Sequence, residues 1–440
     1  MTARPAIGYR LAVRGARALA PLVARYDAKI ARGIAGRRGL TRRFAAWAAA
    51  HRDPARPLVW IHAPSVGEGL QAKPVIQQLR AERPSWQLAY TYFSPSAERF
   101  AAALPVDVTD YAPYDRRTDV AAVLDALRPT ALVFSKLDVW PELTLAAAAR
   151  GVRLGLVAAT VSPGSGRLRW PVRKWLAPAY RALDLAGAIS AQDADRLAAL
   201  GVRPTAIRIT GDTRYDSVAE RAAHRDRARD PLPPRGDAPP DSFTIVAGST
   251  WPADEAVVLA AFTLLHTAIP GARLVIAPHE PDPAHLAGVT RRLREVGGPG
   301  AVRLSRLTAD ANAPVILVDR VGVLAELYAA ADAAYVGGGY HRAGLHSVLE
   351  PAVFGVPVAF GPRWTNSRDA ALLLDRGGAA ALPAREGARA LYAQWLVWAH
   401  DVAARRRAGE AAAAIVAEGR GAAARTAALV GELVEGAGRP

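Results

Sequence analysis

A glutamate set between two glycines, Glu68 in the run WIHAPSVGEG (60–69), has the setting in this 440-residue chain that most suggests chemistry. β-rich apolar residues run into a turn offering Ser65, Gly67 and Glu68 before helix-forming sequence begins. Open α/β sheets bind ligands at the carboxyl ends of their strands, and flanking glycines let a substrate come close to the backbone. A general base fits there. The same acid would also complement the positive end of the helix that follows, worth about 0.3–1 kcal/mol. His62 alternates with Trp60 along the strand and reads as a core or supporting histidine.

A second group follows in ALVFSKLDVWPEL (131–143), where Lys136 and Asp138 emerge just past an apolar strand. A lysine there suits a carboxylate or phosphate, although the two residues would also make an ordinary surface pair of little energetic weight. In the second half, GSTWPADE (248–255) puts Ser249 and Thr250 after a strand, with Asp254 and Glu255 in a capping position at the next helix. IAPHEP (276–281) ends another strand with His279. The longest signal is YVGGGYHRAGLHSVLEPAVFGVPVAFGP (335–362). Its triple glycine, including Gly338 and Gly339, is expected to admit a ligand against bare backbone, and a helix opening near Leu345 to Ser347 should aim its N–H groups at an anion. Glu350, one turn on, would accept hydrogen bonds from ribose hydroxyls. The outline suits a nucleotide mono- or diphosphate, yet it matches neither the P-loop nor the dinucleotide fingerprint.

Several chemistries are unsupported. Cysteine is absent, which removes disulfides, thiolate nucleophiles and Cys-based zinc sites. The nine histidines are scattered, without H-E-x-x-H, and there is no G-x-S-x-G, so neither a metal site nor a hydrolase elbow is expected. The acids of DAD (193–195) open a helix and complement its dipole.

These residues need a scaffold. From residue 58, strand-like runs (58–63, 87–94, 131–135, 154–160, 184–190, 206–210) alternate with helical stretches, and the pattern restarts after 241 with 243–249, 272–278, 315–319, 333–339 and 356–361. Alternation of this kind implies parallel sheets covered on both faces. Between the halves, residues 231–240 hold five prolines. The expected fold is therefore α/β: a Rossmann-like domain at 46–220, a Pro-rich linker at 221–241, and a second Rossmann-like domain at 242–440 that includes C-terminal helices. Two doubly wound sheets would face one ligand across a cleft.

With 51% hydrophobic and 22% charged residues the composition is globular, and no window reaches the roughly 18 unbroken apolar residues of a membrane span. The start MTARPAIGYRLAVRG lacks the apolar core of a secretory signal, so export is not expected. Net charge is +16, and residues 1–43 carry eleven basic residues against Asp27 alone. On one helical wheel Arg10, Arg14, Arg17, Arg25, Lys29 and Arg32 oppose Leu19, Leu22, Val23, Tyr26, Ile30 and Ile34, with Pro21 as a kink or a fresh start. Segment 1–45 is thus either an interfacial helix on an anionic membrane or an amphipathic helix packed on the domain. No aromatic platform accompanies the charge, so no nucleic-acid partner is expected.

In their order along nearly the whole chain, WIHAPSVGEG, KLDVWPEL, GDTRYDSV (211–218), GSTWPADE, VDRVGVLAELYAAADAAYVGGGY (318–340), GLHSVLEPAVFGVPVAFGP (344–362) and RGAAARTAALV (420–430) resemble the 3-deoxy-D-manno-octulosonic acid (Kdo) transferases. Members attach Kdo from CMP-Kdo to a lipid A precursor in lipopolysaccharide assembly. The resemblance implies a GT-B fold of two Rossmann-like domains and an inverting transfer without metal or cofactor. It implies Glu68 as general base, with Ser65, Gly67, Lys136, Asp138 and Arg214 around the substrates. Donor contacts would come from Ser249, Thr250, His279, Gly338, Gly339, Ser347 and Glu350. It also implies a peripheral enzyme at the cytoplasmic face of the inner membrane, with an anionic membrane surface as partner. The chain departs from the common pattern: Lys136 and Asp138 stand where many members have two glutamates, IAPHEP lacks the arginine of P-R-H-P, and HSVLEP replaces H-N-P-L-E-P. Rival readings are a GT-B enzyme acting on a UDP-sugar, either a transferase or a sugar-nucleotide 2-epimerase, and a non-catalytic membrane-bound binding protein.

Overall fold

A computed structural model describes residues 5–225, 230–232, 242–308 and 313–436. The chain divides into two compact units, Met1–Ser217 with Gly419–Pro440, and Val218–Glu418. Most of the expected linker, with its prolines at 233–240, lies outside the described residues.

The first unit is built on seven parallel strands: β1 (Leu58–His62), β2 (Gln87–Tyr92), β3 (Val108–Tyr111), β4 (Ala131–Ser135), β5 (Arg153–Ala159), β6 (Leu185–Ala188) and β7 (Ile207–Ile209). Their order is β3-β2-β1-β4-β5-β6-β7. Helices cover both faces, so the central strands are mostly apolar; every residue of β1, β2 and β4 is buried, including His62, Gln87, Thr91 and Ser135. Trp60, Tyr90 and Phe134 are among the largest fully buried side chains.

Three helices precede the sheet: α1 (Ile7–Val23), α2 (Ala28–Gly36) and α3 (Leu40–His51). The single wheel expected for 1–45 is thereby corrected. The chain breaks after Val23, and Asp27 restarts it by accepting from the Lys29 and Ile30 N–H groups at 2.8 and 3.1 Å. Pro21 falls in the last turn of α1 and restarts nothing. The segment is also not uniformly a solvated basic face. Arg37 is buried and donates to the carbonyls of Gly33, Phe93 and Ala112 at 2.8–3.0 Å, tying α2 to the sheet. By contrast α1 has no buried residue.

The second unit repeats the plan with β8 (Phe243–Thr250), β9 (Ala272–Pro278), β10 (Ala301–Arg303), β11 (Val315–Leu317), β12 (Ala333–Val336), β13 (Val358–Phe360) and β14 (Ala379–Ala381). The order is β10-β11-β9-β8-β12-β13-β14, again all parallel. One expectation changes. The helix Ala422–Glu435 belongs to the first unit, not to the second domain as the sequence suggested. Its Ala427, Leu429, Val430, Leu433 and Val434 join the first unit's core, seated on strand glycines. A Cβ on Gly155 would lie 2.8 Å from Leu433, and one on Gly187 would lie 3.1 Å from Leu429.

Candidate active site

Glu68 lies in the first turn of α4 (Val66–Glu82), which Ser65 caps by accepting from the Gly67 N–H at 3.2 Å. Both expected readings of this acid therefore have a basis in the geometry. What raises it above a capping residue is the pair of groups on its carboxylate. The Ser65 hydroxyl donates to Oε2, and Lys136 Nζ donates to Oε1 at 3.1 Å. Burial alone would push the Glu68 pKa up; the Ser65 hydrogen bond and the Lys136 charge outweigh it and hold the pKa below its ordinary value. The side chain keeps 15% of its exposure, so an ionised carboxylate remains reachable. Gly67 leaves open space beside it, since a Cβ there would meet only Ser65 Oγ at 3.7 Å.

Lys136 reaches Glu68 because of an unusual backbone. It follows β4 with φ +66°, a left-handed conformation costly for a side-chain-bearing residue. Its N–H donates to the Val157 carbonyl at 2.8 Å, and the Ser135 hydroxyl donates to the Glu68 carbonyl at 3.1 Å, so the end of β4 is fastened to the start of α4. Asp138 is not the partner of Lys136 that sequence spacing allowed. It pairs with Arg167 at 2.5 Å, and burial raises its pKa despite that cation. Arg167, 29 residues away, was missed because nothing local marks it. His62 is a core residue as expected: it is fully buried, pushed down to about 4 by burial, and packs edge-on against Trp140 at 4.9 Å. Arg214 sits at the end of β7's connection, donating from Nε and Nη2 to Asp212 at 2.9 and 2.7 Å.

In the second unit the triple glycine has a packing role of its own. The space that Cβ atoms would take at the triple glycine is filled by the chain itself. A Cβ on Gly337 would lie 2.2 Å from the Ser249 carbonyl oxygen, on Gly338 2.1 Å from that of Gly344, and on Gly339 2.4 Å from the Gly361 nitrogen. Gly338 and Gly339 are buried, and the Gly338 N–H donates to Asp254 at 2.8 Å. Glycine is required here because three backbone segments touch on the side a Cβ would take. The helix expected at 345–354 is the single turn Leu349–Ala352, so Ser347 is an exposed loop residue ahead of it and starts no anion-binding helix.

Asp254, read from sequence as a cap, is the buried knot of this region. Besides Gly338 it accepts from the N–H of Trp251 at 3.0 Å and of Tyr340 at 3.1 Å, and from the Tyr335 hydroxyl at 2.9 Å. Thr250 is likewise turned inward and fully buried, donating to Glu255 at 3.2 Å. Glu350 lies within 3.6 Å of Arg221, and burial raises its pKa against that cation. Ser249 adopts φ +54°, so each unit carries a strained non-glycine residue at a strand end that the sequence had singled out.

Beside this knot lies a half-buried aromatic stack, of which His279 is exposed. Trp251 lies flat on His341 at 4.2 Å between ring centroids and on His279 at 4.7 Å, and His279 packs on His346 at 4.6 Å. The Trp251 indole donates to His346 Nε2 at 3.1 Å, so that ring is neutral with its proton on Nδ1; burial and then His279 lower its pKa. Of this cluster only His279 was anticipated. Trp251 lay inside a motif read for its hydroxyls, and no spacing rule links it to residues 90 positions on. Among the described residues no cluster of three or more His, Asp or Glu side chains is arranged to hold a metal ion.

Two seven-stranded parallel Rossmann-like units are the architecture of the GT-B class. The fold is shared with a putative UDP-N-acetylglucosamine 2-epimerase from Listeria monocytogenes (TM-score 0.59, 14% identity, covering 87% of this chain and 97% of that one). It is also shared with a glycosyltransferase from Rickettsia africae (TM-score 0.57, 10% identity, 87% and 98% covered). At such identities the likeness is one of fold. Sequence carries the assignment further. Residues 38–217 match the family described as 3-deoxy-D-manno-octulosonic-acid transferase (kdotransferase). The Bordetella pertussis 3-deoxy-D-manno-octulosonic acid transferase is 31% identical over 434 residues, which span 95% of this chain and 97% of that protein. The Haemophilus influenzae transferase is 26% identical over 315 residues, 70% and 71% of the two chains. The chain belongs to the Kdo transferase family and is a glycosyltransferase.

Proposed function

We propose that this enzyme moves Kdo from CMP-Kdo to a lipid A precursor in lipopolysaccharide biosynthesis, with inversion at the anomeric carbon. The observation that carries the reading is the Glu68 carboxylate, held past the end of β1 by the Ser65 hydroxyl and Lys136 Nζ inside the region matched by the family. A carboxylate has about four lone-pair sites and these two donors occupy two of them, so an acceptor hydroxyl has room to bind. Glu68 takes that hydroxyl's proton as the oxygen attacks the Kdo anomeric carbon, and CMP departs from the opposite face. Lys136 keeps the base ionised beforehand. On the second unit, the cluster of Trp251, His279 and His341 beside the glycine turn is where we place the donor's nucleobase and phosphate. The reaction as proposed calls on no metal or other cofactor.

The lipid acceptor implies a membrane. Among the described residues no helix is long and apolar enough to cross one. Supporting a peripheral attachment at the cytoplasmic face of the inner membrane, α1 exposes Ile7, Leu11, Leu19 and Leu22 beside Arg14, Arg17 and Arg25.

The direct test supplies purified protein with CMP-Kdo and lipid A precursor, measuring CMP release and the mass of the lipid product. Glu68→Gln should lower turnover by about 10²–10⁴-fold while CMP still binds. Unimpaired transfer by that variant removes Glu68 from the reaction. Turnover of a UDP-sugar in place of CMP-Kdo overturns the substrate assignment.

A further inference from the structure

The first unit contains a chamber of about 720 Å³. Its walls are apolar: Val13 and Ala20 from α1, Ile34 from α2, Phe93 beyond β2, Trp140 beyond β4, and Leu176 from the helix Val172–Arg181. The space is open on one side, and an exposed apolar concavity of this size is a feature to explain. It falls within the range of about 300–1,000 Å³ typical of sites that engulf a ligand.

Two further observations define the occupant. The chamber borders the site already described, because Leu137, Asp138 and Arg167 also line it, and Asp138 follows Lys136 by two residues. Cations outnumber acids among its polar lining: Arg17, Lys29, Arg37 and Arg167 stand against Asp115 and Asp138, Arg17 lies 4.6 Å above the Tyr114 ring, and adjoining hollows share Arg17, Ile34 and Tyr114 with it while adding Arg14, Arg38 and Arg116. An occupant suited to this lining is apolar inside and anionic at the mouth, and Asp138 and Arg167 are where it would adjoin the Glu68 site.

The roof of the chamber is also unlike a packed helix. α1 buries none of its residues and is fixed by polar contacts near its start, Tyr9 Oη donating to Asp115 at 2.6 Å and Arg10 lying 3.6 Å from Glu142. Its inner side, with Tyr9, Val13, Ala16 and Ala20, faces the chamber, while Ile7, Leu11 and Leu22 project outward. A helix apolar on both sides, with none of its residues buried, stands between the chamber and whatever apolar medium its outer side meets.

We infer that this chamber seats a fatty acyl chain of the phosphorylated glycolipid acceptor, with the basic margin on its phosphate, so that chain recognition under α1 positions the sugar hydroxyl at Glu68. The inference rests on the acceptor being a lipid, as proposed above.

The test narrows the chamber from two sides in the full-length enzyme. Ala20→Phe adds a ring from α1. Gly33→Leu adds a side chain from α2, where a Cβ would meet nothing nearer than Arg37 and Pro95 at 3.4 and 3.5 Å. Acceptors are water-soluble short-chain analogues kept below their aggregation concentration, compared with the deacylated bisphosphorylated disaccharide. In the wild type, kcat/KM should rise about fourfold for each added CH₂ that the chamber buries. In both variants the ratio of kcat/KM for acylated over deacylated acceptor should fall tenfold or more. A ratio that stays put in both variants, or no dependence on chain length in the wild type, overturns the inference. A second readout needs no turnover: acceptor carrying a brominated chain should quench a fluorescence component that disappears in Trp140→Phe. If neither acceptor is glycosylated, the transferase reading fails, while quenching still decides the chamber. Equal quenching by a brominated phospholipid that acceptor does not displace assigns the space to bilayer lipid and overturns the acceptor claim.

Discussion

Glu68 is useful as a base only while it is unprotonated, and two neighbours see to that. Ser65 and Lys136 lower its pKa although burial pushes the other way. Removing the lysine cation leaves burial less opposed, so the pKa must climb. In Lys136→Met the acid limb of the kcat/KM profile should therefore move to higher pH, and Lys136→Arg should restore much of it. An acid limb that stays in place in Lys136→Met would mean that another group governs it. At this scale the sequence was informative where chemistry and local backbone coincide. The glycine-flanked acid and the lysine past a strand could be recognised in ten or fewer residues. Arg167 on Asp138, or His341 on Trp251, could not, because only the fold joins positions 29 and 90 residues apart.

Elements were legible in proportion to their burial. The central strands declare themselves as unbroken apolar runs because helices cover both faces. The edge strands β3, β10 and β14 escaped notice, being only three or four residues long and largely half-exposed, as in Ala379–Ala381. The glycine-rich stretch after β12 shows the opposite limit: composition marks the residues, but the packing reason for them appears only in the fold. Close backbone contact explains the need for glycine there, which makes a sharp comparison available. Gly338→Ala meets both a φ of +94° and a carbonyl oxygen 2.1 Å from its Cβ, so it should cost roughly 1–3 kcal/mol or more in urea unfolding. Gly67→Ala opens onto free space and sits in a helix, so its unfolding midpoint should hardly change or should rise. Equal losses in the two variants would contradict the packing account.

Across the whole molecule, charge and apolar exposure concentrate at the amino-terminal end of the first unit. Deleting residues 1–43 would not test membrane attachment cleanly, since Arg37 and Leu40 are built into that unit's interior. Point changes on the outer side of α1 isolate the surface. Leu11→Glu with Leu22→Glu should weaken sedimentation with anionic liposomes, and added salt should weaken wild-type binding further; unchanged sedimentation at low salt would count against docking through α1. The other large-scale feature invisible to pattern reading is the return of the chain after residue 418. Ala-rich amphipathic sequence specifies a helix but not which sheet receives it; the deciding signals were Gly155 and Gly187, two gaps in strands more than 240 residues earlier. Removing residues 419–440 strips Leu429, Leu433 and their neighbours from the first unit's core, at about 1.5–3 kcal/mol for each large side chain, enough to unfold that unit. Cooperative melting of the truncated protein at the wild-type temperature would refute this.

The same crossing sets an order of events on the ribosome. The patch of β5 and β6 that awaits Leu433 and Leu429 emerges early, yet its cover is translated only after all of residues 218–418. Throughout that interval the nascent chain presents sticky, unfinished surface, while the later-made unit already has every strand and helix it requires. The half translated first is thus the half completed last, and holdase chaperones should find their binding sites there.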